Sequence, residues 1–169
     1  MAEYLLLDTF TLIPKDLYSP QLGKEALAAQ FMIDMQQYNF GEWLFGDAKA
    51  MVAYAIPKSE GEKLPLIARL LEETRNIASF NKVILHYCQK KQLSNTVICM
   101  GGELKLANSY KADSFETALY FLFLAIQKLQ MNPQQCTVRV TSEITGEQHA
   151  TIARFFKGTE IYNLNNTLE

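Results

Sequence analysis

The alternation of apolar and polar positions is sharpest in the middle of the chain. NKVILHYCQ (81–89), LSNTVICM (93–100) and ELKLANSY (103–110) are rich in strand-forming residues and are separated only by KKQ and by Gly101-Gly102. Connections this short force consecutive strands antiparallel, so the pattern predicts a three-stranded meander. With Gly101-Gly102 as a two-residue turn, Met100 pairs with Glu103 and the faces follow by parity. One face then carries Val97, Cys99, Leu104 and Leu106, and the other carries Thr96, Ile98, Glu103 and Lys105. Only the first is fully apolar, so it is expected to meet the helix that comes next in the chain.

The period changes after residue 112. Phe115, Ala118, Leu119, Leu122, Phe123, Ile126 and Leu129 recur at helical spacing behind Asp113 and Glu116, which read as a capping box. Tyr120, Phe121, Leu124 and Ala125 fill much of the remaining circumference, so this helix is expected to be covered on more than one side. Beyond Asn132-Pro133, CTVRVT (136–141) reads as a strand and Thr145 with Gln148 caps a helix bearing Ile152, Phe155 and Phe156. Gly158 is expected to end that helix, and TEIYNL (159–164) to form the last strand.

The first half is less regular. YLLLDTFTLI (4–13) reads as a strand stopped by Pro14, and 21–36 reads as a helix on its recurrent apolar positions. YNFGEWLFGD and KAMVAYAIP suggest a hairpin about Gly46-Asp47, closed by Pro57. Residues 59–78 suggest an amphipathic helix with Pro65 in its first turn. The chain thus divides into a small α+β lobe, 1–78, and an α/β unit, 79–169. Three antiparallel strands followed by helix, strand, helix, strand is the order of a ribonuclease H-like unit, a mixed five-stranded sheet in which right-handed crossovers give the strand order 3-2-1-4-5.

Composition narrows the partners. A chain of 169 residues can bury about two-thirds of its unfolded surface, as one domain or as two lobes sharing a core. Its net charge of -2 offers no concentrated basic face, so no nucleic-acid partner is expected. The three cysteines, Cys88, Cys99 and Cys136, are widely separated and form no metal or redox motif, which points to reduced thiols in a cytoplasmic setting. The longest apolar stretch, Ala118 to Ile126, falls short of the roughly 18 residues of a membrane span, and the N-terminus lacks the zones of a signal peptide. The ends read as those of a piece of a longer chain, with Leu168-Glu169 resembling a vector-derived tail.

The segments YLLLDTFTLIPKDLY, QQYNFGEWLFGDAKAMVAYAIP and GGELKLANSYKADSFETALYFLFLAIQKLQMNPQQCTVRVTSEI together resemble an uncharacterised bacterial family known as a domain of unknown function. The resemblance runs from about Tyr4 to Leu164 and implies an actin-like ATPase fold, with the first half as an inserted lobe. More distantly, the layout looks like the actin-like platform proteins of secretion and pilus machines.

Such folds suggest where chemistry should lie. A ribonuclease H nuclease needs carboxylates from its first strand, first helix and fourth strand on divalent metal. KVILHYCQ has none, Glu116 reads as a cap and Glu143 lies beyond its strand, so no catalytic or metal-binding residue is assigned. An actin-like ATPase needs glycines and an acid in the turn after its first strand. That turn is CQKKQLSN, where Lys90 and Lys91 could attract a phosphate by charge but read first as solvated lysines. Ser142 stands where a nucleotide-contacting glycine would be expected. The chain is therefore expected to work without a cofactor, with Mg-ATP as the alternative. His86 and His149 have no ligand-spaced neighbours, and His86 reads as a polar residue on the less buried face of its strand. Cys88, beside the lysine turn, reads as a filler thiol. What remains is surface: Tyr38, Phe40, Trp43 and Phe45 concentrate in one hairpin and are the candidates for contact with a protein partner or a second copy.

Overall fold

The computed structural model describes residues 2–164 and 167–168. In chain order its elements are β1 (Tyr4–Leu5), β2 (Phe10–Pro14), α1 (Pro20–Phe31), β3 (Tyr38–Phe45), β4 (Ala50–Pro57), β5 (Leu64–Pro65) and α2 (Leu66–Glu73). Then follow β6 (Asn81–Cys88), β7 (Leu93–Met100), β8 (Glu103–Lys111), α3 (Phe115–Lys128), β9 (Cys136–Val140), α4 (Gly146–Ala153), β10 (Gly158–Ile161) and β11 (Thr167–Leu168). Of the chain end read as a tail, Glu169 lies outside the described residues.

The meander forms as the short turns require. β6, β7 and β8 are antiparallel, Met100 pairs with Glu103, and Gly101 takes the left-handed φ of 60° that a side chain would strain. β9 runs parallel to β6 and β10 parallel to β9, so the mixed sheet reads β10-β9-β6-β7-β8. A second sheet, β2-β4-β3, is antiparallel and bears α1 on one face. β1, β5 and β11 make a small parallel sheet.

Two cores sandwich the five-stranded sheet. Val83, Leu85, Ile98, Val138 and Val140 meet α3 and α4. On the opposite face Ile84, Leu93, Val97 and Cys99 meet Leu66, Leu70 and Leu71 of α2 together with Val52, Tyr54 and Ile56 of β4. This corrects the expected assignment of faces. The Val97–Cys99 face meets α2 and the small sheet, while the face with Ile98 meets α3. An irregularity between Ile98 and Cys99 pairs Ile98 with Leu106 and Cys99 with Leu104, so Leu104 and Leu106 turn to opposite cores.

Other boundaries differ for local reasons. The predicted strand 4–13 breaks into β1 and β2 because the chain turns at Asp8, whose carbonyl accepts from Phe10 N–H at 3.0 Å, while Leu6 and Leu7 between them are buried. α1 begins after the Ser19 cap, which accepts from Leu22 N–H at 3.1 Å, and stops at Phe31 because Met32 adopts φ 50°. α2 has eight residues, with Pro65 before it in β5, and continues only as a 3-10 turn, Thr74–Asn76. The cap of α3 is Ser114, accepting from Thr117 N–H at 3.1 Å, and not Asp113, which accepts from the Thr117 hydroxyl at 2.8 Å. The Thr145–Gln148 capping box of α4 is present, but α4 ends at Ala153 and Gly158 opens β10. Finally, α3 packs on the sheet and, through Phe123, on the rings of Phe155 and Phe156, while Tyr120 is 62 % exposed.

Candidate functional site

β6 and β9 are parallel and paired as far as Leu85 with Val140, so their carboxyl ends lie side by side. In open α/β sheets such an edge is where crevices form and ligands sit. Here a cavity of about 720 Å³ opens, lined among others by Tyr87, Lys90, Ser142, Glu143, Thr145 and Gln148. Its size is that of small-molecule sites, which span about 300–1,000 Å³.

The polar groups around it are largely committed to the protein itself. Ser142, 3 % exposed, accepts from the Tyr87 backbone N–H at 3.1 Å and so ties β9 to β6 beyond the last ladder pair. Thr141 Oγ1 lies 3.0 Å from His86 Nδ1, and the Thr141 N–H donates to Leu85 O at 3.0 Å. His86 is buried, 1 % exposed, which corrects its reading as the polar residue of a less buried face: both faces of β6 are covered. At the start of α4 the Thr145 N–H donates to Gln148 Oε1 at 2.9 Å and the Gln148 N–H donates to Thr145 Oγ1 at 3.2 Å. The β6–β7 turn contains Gln89, Lys90, Lys91 and Gln92, with Gln92 in the left-handed region at φ 50°.

Of the residues singled out by sequence, Lys90 and Ser142 therefore meet at one cavity. Lys91 does not join them. Its Nζ donates to Leu6 O at 3.3 Å, beside a second cavity of about 770 Å³ that also touches Lys111 and Asp113. Cys88 is buried and accepts from Lys91 N–H at 3.4 Å. Among the described residues no group of three or more His, Cys, Asp or Glu side chains could hold a metal ion, and no helix is long and apolar enough to cross a membrane.

The aromatic hairpin divides. Tyr38 and Phe40 pack with Leu27, Ala53 and Ala55 under α1. Trp43 and Phe45 turn to the opposite face, their rings stacked at 6.0 Å, and Phe45 is only 3 % exposed. Parity states this directly, since residues 38 and 40 cannot share a strand face with 43 and 45. Gly41 between them lies under the Tyr54 ring, which a Cβ at that position would overlap. A further aromatic cluster lies on α3 and the neighbouring β8, with Tyr120 exposed and Tyr110 and Phe121 half-buried. There Tyr110 stacks on Phe121 at 5.0 Å and Tyr120 meets Phe121 edge-on at 5.5 Å. The sequence signal for it was present in the wide apolar band of this helix, read as burial.

Burial also sets a pH dependence. It raises the thiols of Cys99 and Cys136, the phenol of Tyr54, and that of Tyr87, which Asp113, Cys88 and Glu116 raise further. Each folded-state pKa lies above the unfolded value, so the stability these groups contribute is full below the unfolded thiol pKa of about 8.5 and is lost as pH rises above it. Chemical denaturation between pH 7 and 10.5 is expected to show a falling midpoint from about pH 8.5. A midpoint unchanged to pH 10 would show that these groups titrate as if in water.

Residues 7–157 match a protein family described as "Protein of unknown function (DUF3822)". Among solved structures, a crystal structure of a protein of Bacteroides thetaiotaomicron, described as having an actin-like ATPase fold and unknown function, superimposes with a TM-score of 0.76 at 15 % identity, covering 96 % of this chain and 69 % of that one. At that identity the likeness is one of fold. No curated protein matches the chain.

Proposed function

The chain belongs to the DUF3822 family, and on that premise we propose that it is a non-catalytic actin-like domain that acts in protein–protein interaction or assembly. The reading takes the five-stranded sheet as a ribonuclease H-like unit, and the order β10-β9-β6-β7-β8 with helices α3 and α4 on one face supports it. The observation that carries it is the chemistry of the crevice at the ends of β6 and β9. A phosphate site there needs free backbone donors presented by a tight, glycine-bearing turn. The turn is instead Gln-Lys-Lys-Gln, Ser142 is spent on Tyr87, and at the start of α4 the Thr145 and Gln148 N–H groups are spent on their own capping box. Among the described residues that line the crevice, Lys90 is an exposed cation. Binding to proteins falls to the surface, where the half-buried Tyr38, Phe40 and Trp43 and the aromatic face of α3 are the candidates. A cytoplasmic location and the absence of a nucleic-acid partner belong to the same proposal.

The cavity of about 720 Å³ favours a second reading, in which the domain binds or hydrolyses a nucleotide with part of the phosphate site supplied from beyond these residues. Thermal unfolding with and without Mg-ATP separates the two. The first reading expects an unchanged melting temperature at millimolar nucleotide, and a rise of several degrees overturns it in favour of the second.

A further inference from the structure

The outer surface of α3 carries a row of residues four apart: Glu116, Tyr120, Leu124 and Lys128. Glu116, Tyr120 and Lys128 are exposed and Leu124 is half-buried. Phe121 flanks the row and is held by its stack on Tyr110, with Tyr120 packed edge-on against it. The apolar part of the row is thus presented in a fixed shape, with little side-chain freedom left to lose on binding. An acid in the first turn and a base in the last also suit the helix dipole, which accounts for Glu116 and Lys128 taken alone. It does not account for an exposed aromatic residue and a half-buried aliphatic one between them.

The row is complementary to itself. Positions 116 and 128 are equidistant from position 122, and so are 120 and 124. A two-fold axis passing α3 at the level of residue 122 therefore sets Glu116 of each copy against Lys128 of the other and Tyr120 of each against Leu124 of the other. Residues four apart form a ridge inclined to the helix axis, and two such ridges lie along one another when the helices cross at about 50°. The charged ends then close the apolar centre at both sides, in an isologous contact that is finite and does not propagate.

We infer that the domain self-associates as a two-fold dimer through antiparallel pairing of α3. The inference rests on the proposal that the domain works by binding proteins, and names a second copy as a partner and this row as its surface. One helix per copy buries less than standard interfaces do, so the dimer belongs to the weak, concentration-dependent class.

Sedimentation equilibrium of the whole chain, from about 10 µM to about 1 mM, reads it directly. Wild type is expected to shift from monomer toward dimer across that range. Tyr120→Glu, at a side chain exposed enough to leave folding intact, is expected to remain monomeric. Glu116→Lys and Lys128→Glu should each weaken the dimer at least tenfold, about 1.4 kcal/mol, and together restore it, because the swapped charges again face opposite partners. A Tyr120→Cys copy mixed with a Leu124→Cys copy should cross-link to each other in preference to themselves. Wild type monomeric throughout, or a dimer indifferent to single charge reversal, overturns the α3 pairing. Either leaves the protein-binding reading standing, since that reading fails on nucleotide stabilisation instead.

Discussion

Replacing Glu73 by alanine is expected to cost about 3 kcal/mol of stability, read as a lower urea midpoint at unchanged slope. The carboxylate is 1 % exposed at the end of α2. It accepts from Arg139 Nη1 at 2.9 Å and from Asn76 Nδ2 at 3.2 Å, and Arg69 Nη2 lies 2.6 Å away. Arg139, on β9, also reaches Glu160 of β10 at 2.8 Å and Asn76 O at 3.1 Å, so one carboxylate clips α2 to two strands of the sheet. Removing Glu73 leaves the Arg139 guanidinium, its side chain 11 % exposed, without its deepest partner. Single deletions of buried pairs cost about 3–5 kcal/mol for this reason. The surviving contact with Glu160, a half-exposed acid, places the loss at the low end of that range. Glu73→Leu combined with Arg139→Met should cost less than the sum of the two single changes, since apolar residues of similar volume relieve the desolvation on both sides. A loss under about 1 kcal/mol for Glu73→Ala would mean that water reaches the pair.

The network also shows where the sequence could not reach. Glu73 and Arg139 are 66 positions apart, and nothing in the local pattern of either marks the other. What was legible depended on short-range chemistry. The meander followed from two-residue spacing and a glycine turn, and the pairing of Met100 with Glu103 stands. Parity then failed two pairs further on, at Ile98, because an irregularity between Ile98 and Cys99 shifts the register without any glycine to announce it. The left-handed turn at Met32 that shortens α1 is likewise carried by a residue with no preference for it. The candidate crevice was legible as strand ends, which brought Lys90 and Ser142 together. The burial of His86 against Thr141 was not, since it needs Leu6, Leu7, α2 and β4 packed over the second face of β6. On α3 the hydrophobic count misled in the opposite sense. An aromatic residue stacked on Tyr110 at the surface and one sealed in a core look alike in a sequence.

Residues 79–169 expressed alone are expected not to fold, although they hold all five strands of the main sheet. Ile84, Leu93, Val97 and Cys99 are each less than 9 % exposed, and what covers them is Leu66, Leu70 and Leu71 of α2 with Val52 and Ile56 of β4. Without residues 1–78 one whole face of β6 and β7 becomes apolar surface of the kind that aggregates. Residues of the first half thus supply half of a shared core. Leu70→Ala, at a side chain with no exposure, should cost about 2–5 kcal/mol and lower the stability of both sheets together. The whole chain should then melt in one transition, with calorimetric and van't Hoff enthalpies equal. Two separate transitions, or native-like amide protection of β6 to β8 in the 79–169 piece, would show that the α3–α4 side alone suffices. The requirement on α2 would in that case reduce to the Glu73–Arg139 clip. As the packing stands, β6 and β7 are buried on both faces, and a β6 strand reading VILHYC without a solvent-facing alternation is the residue pattern that such burial demands.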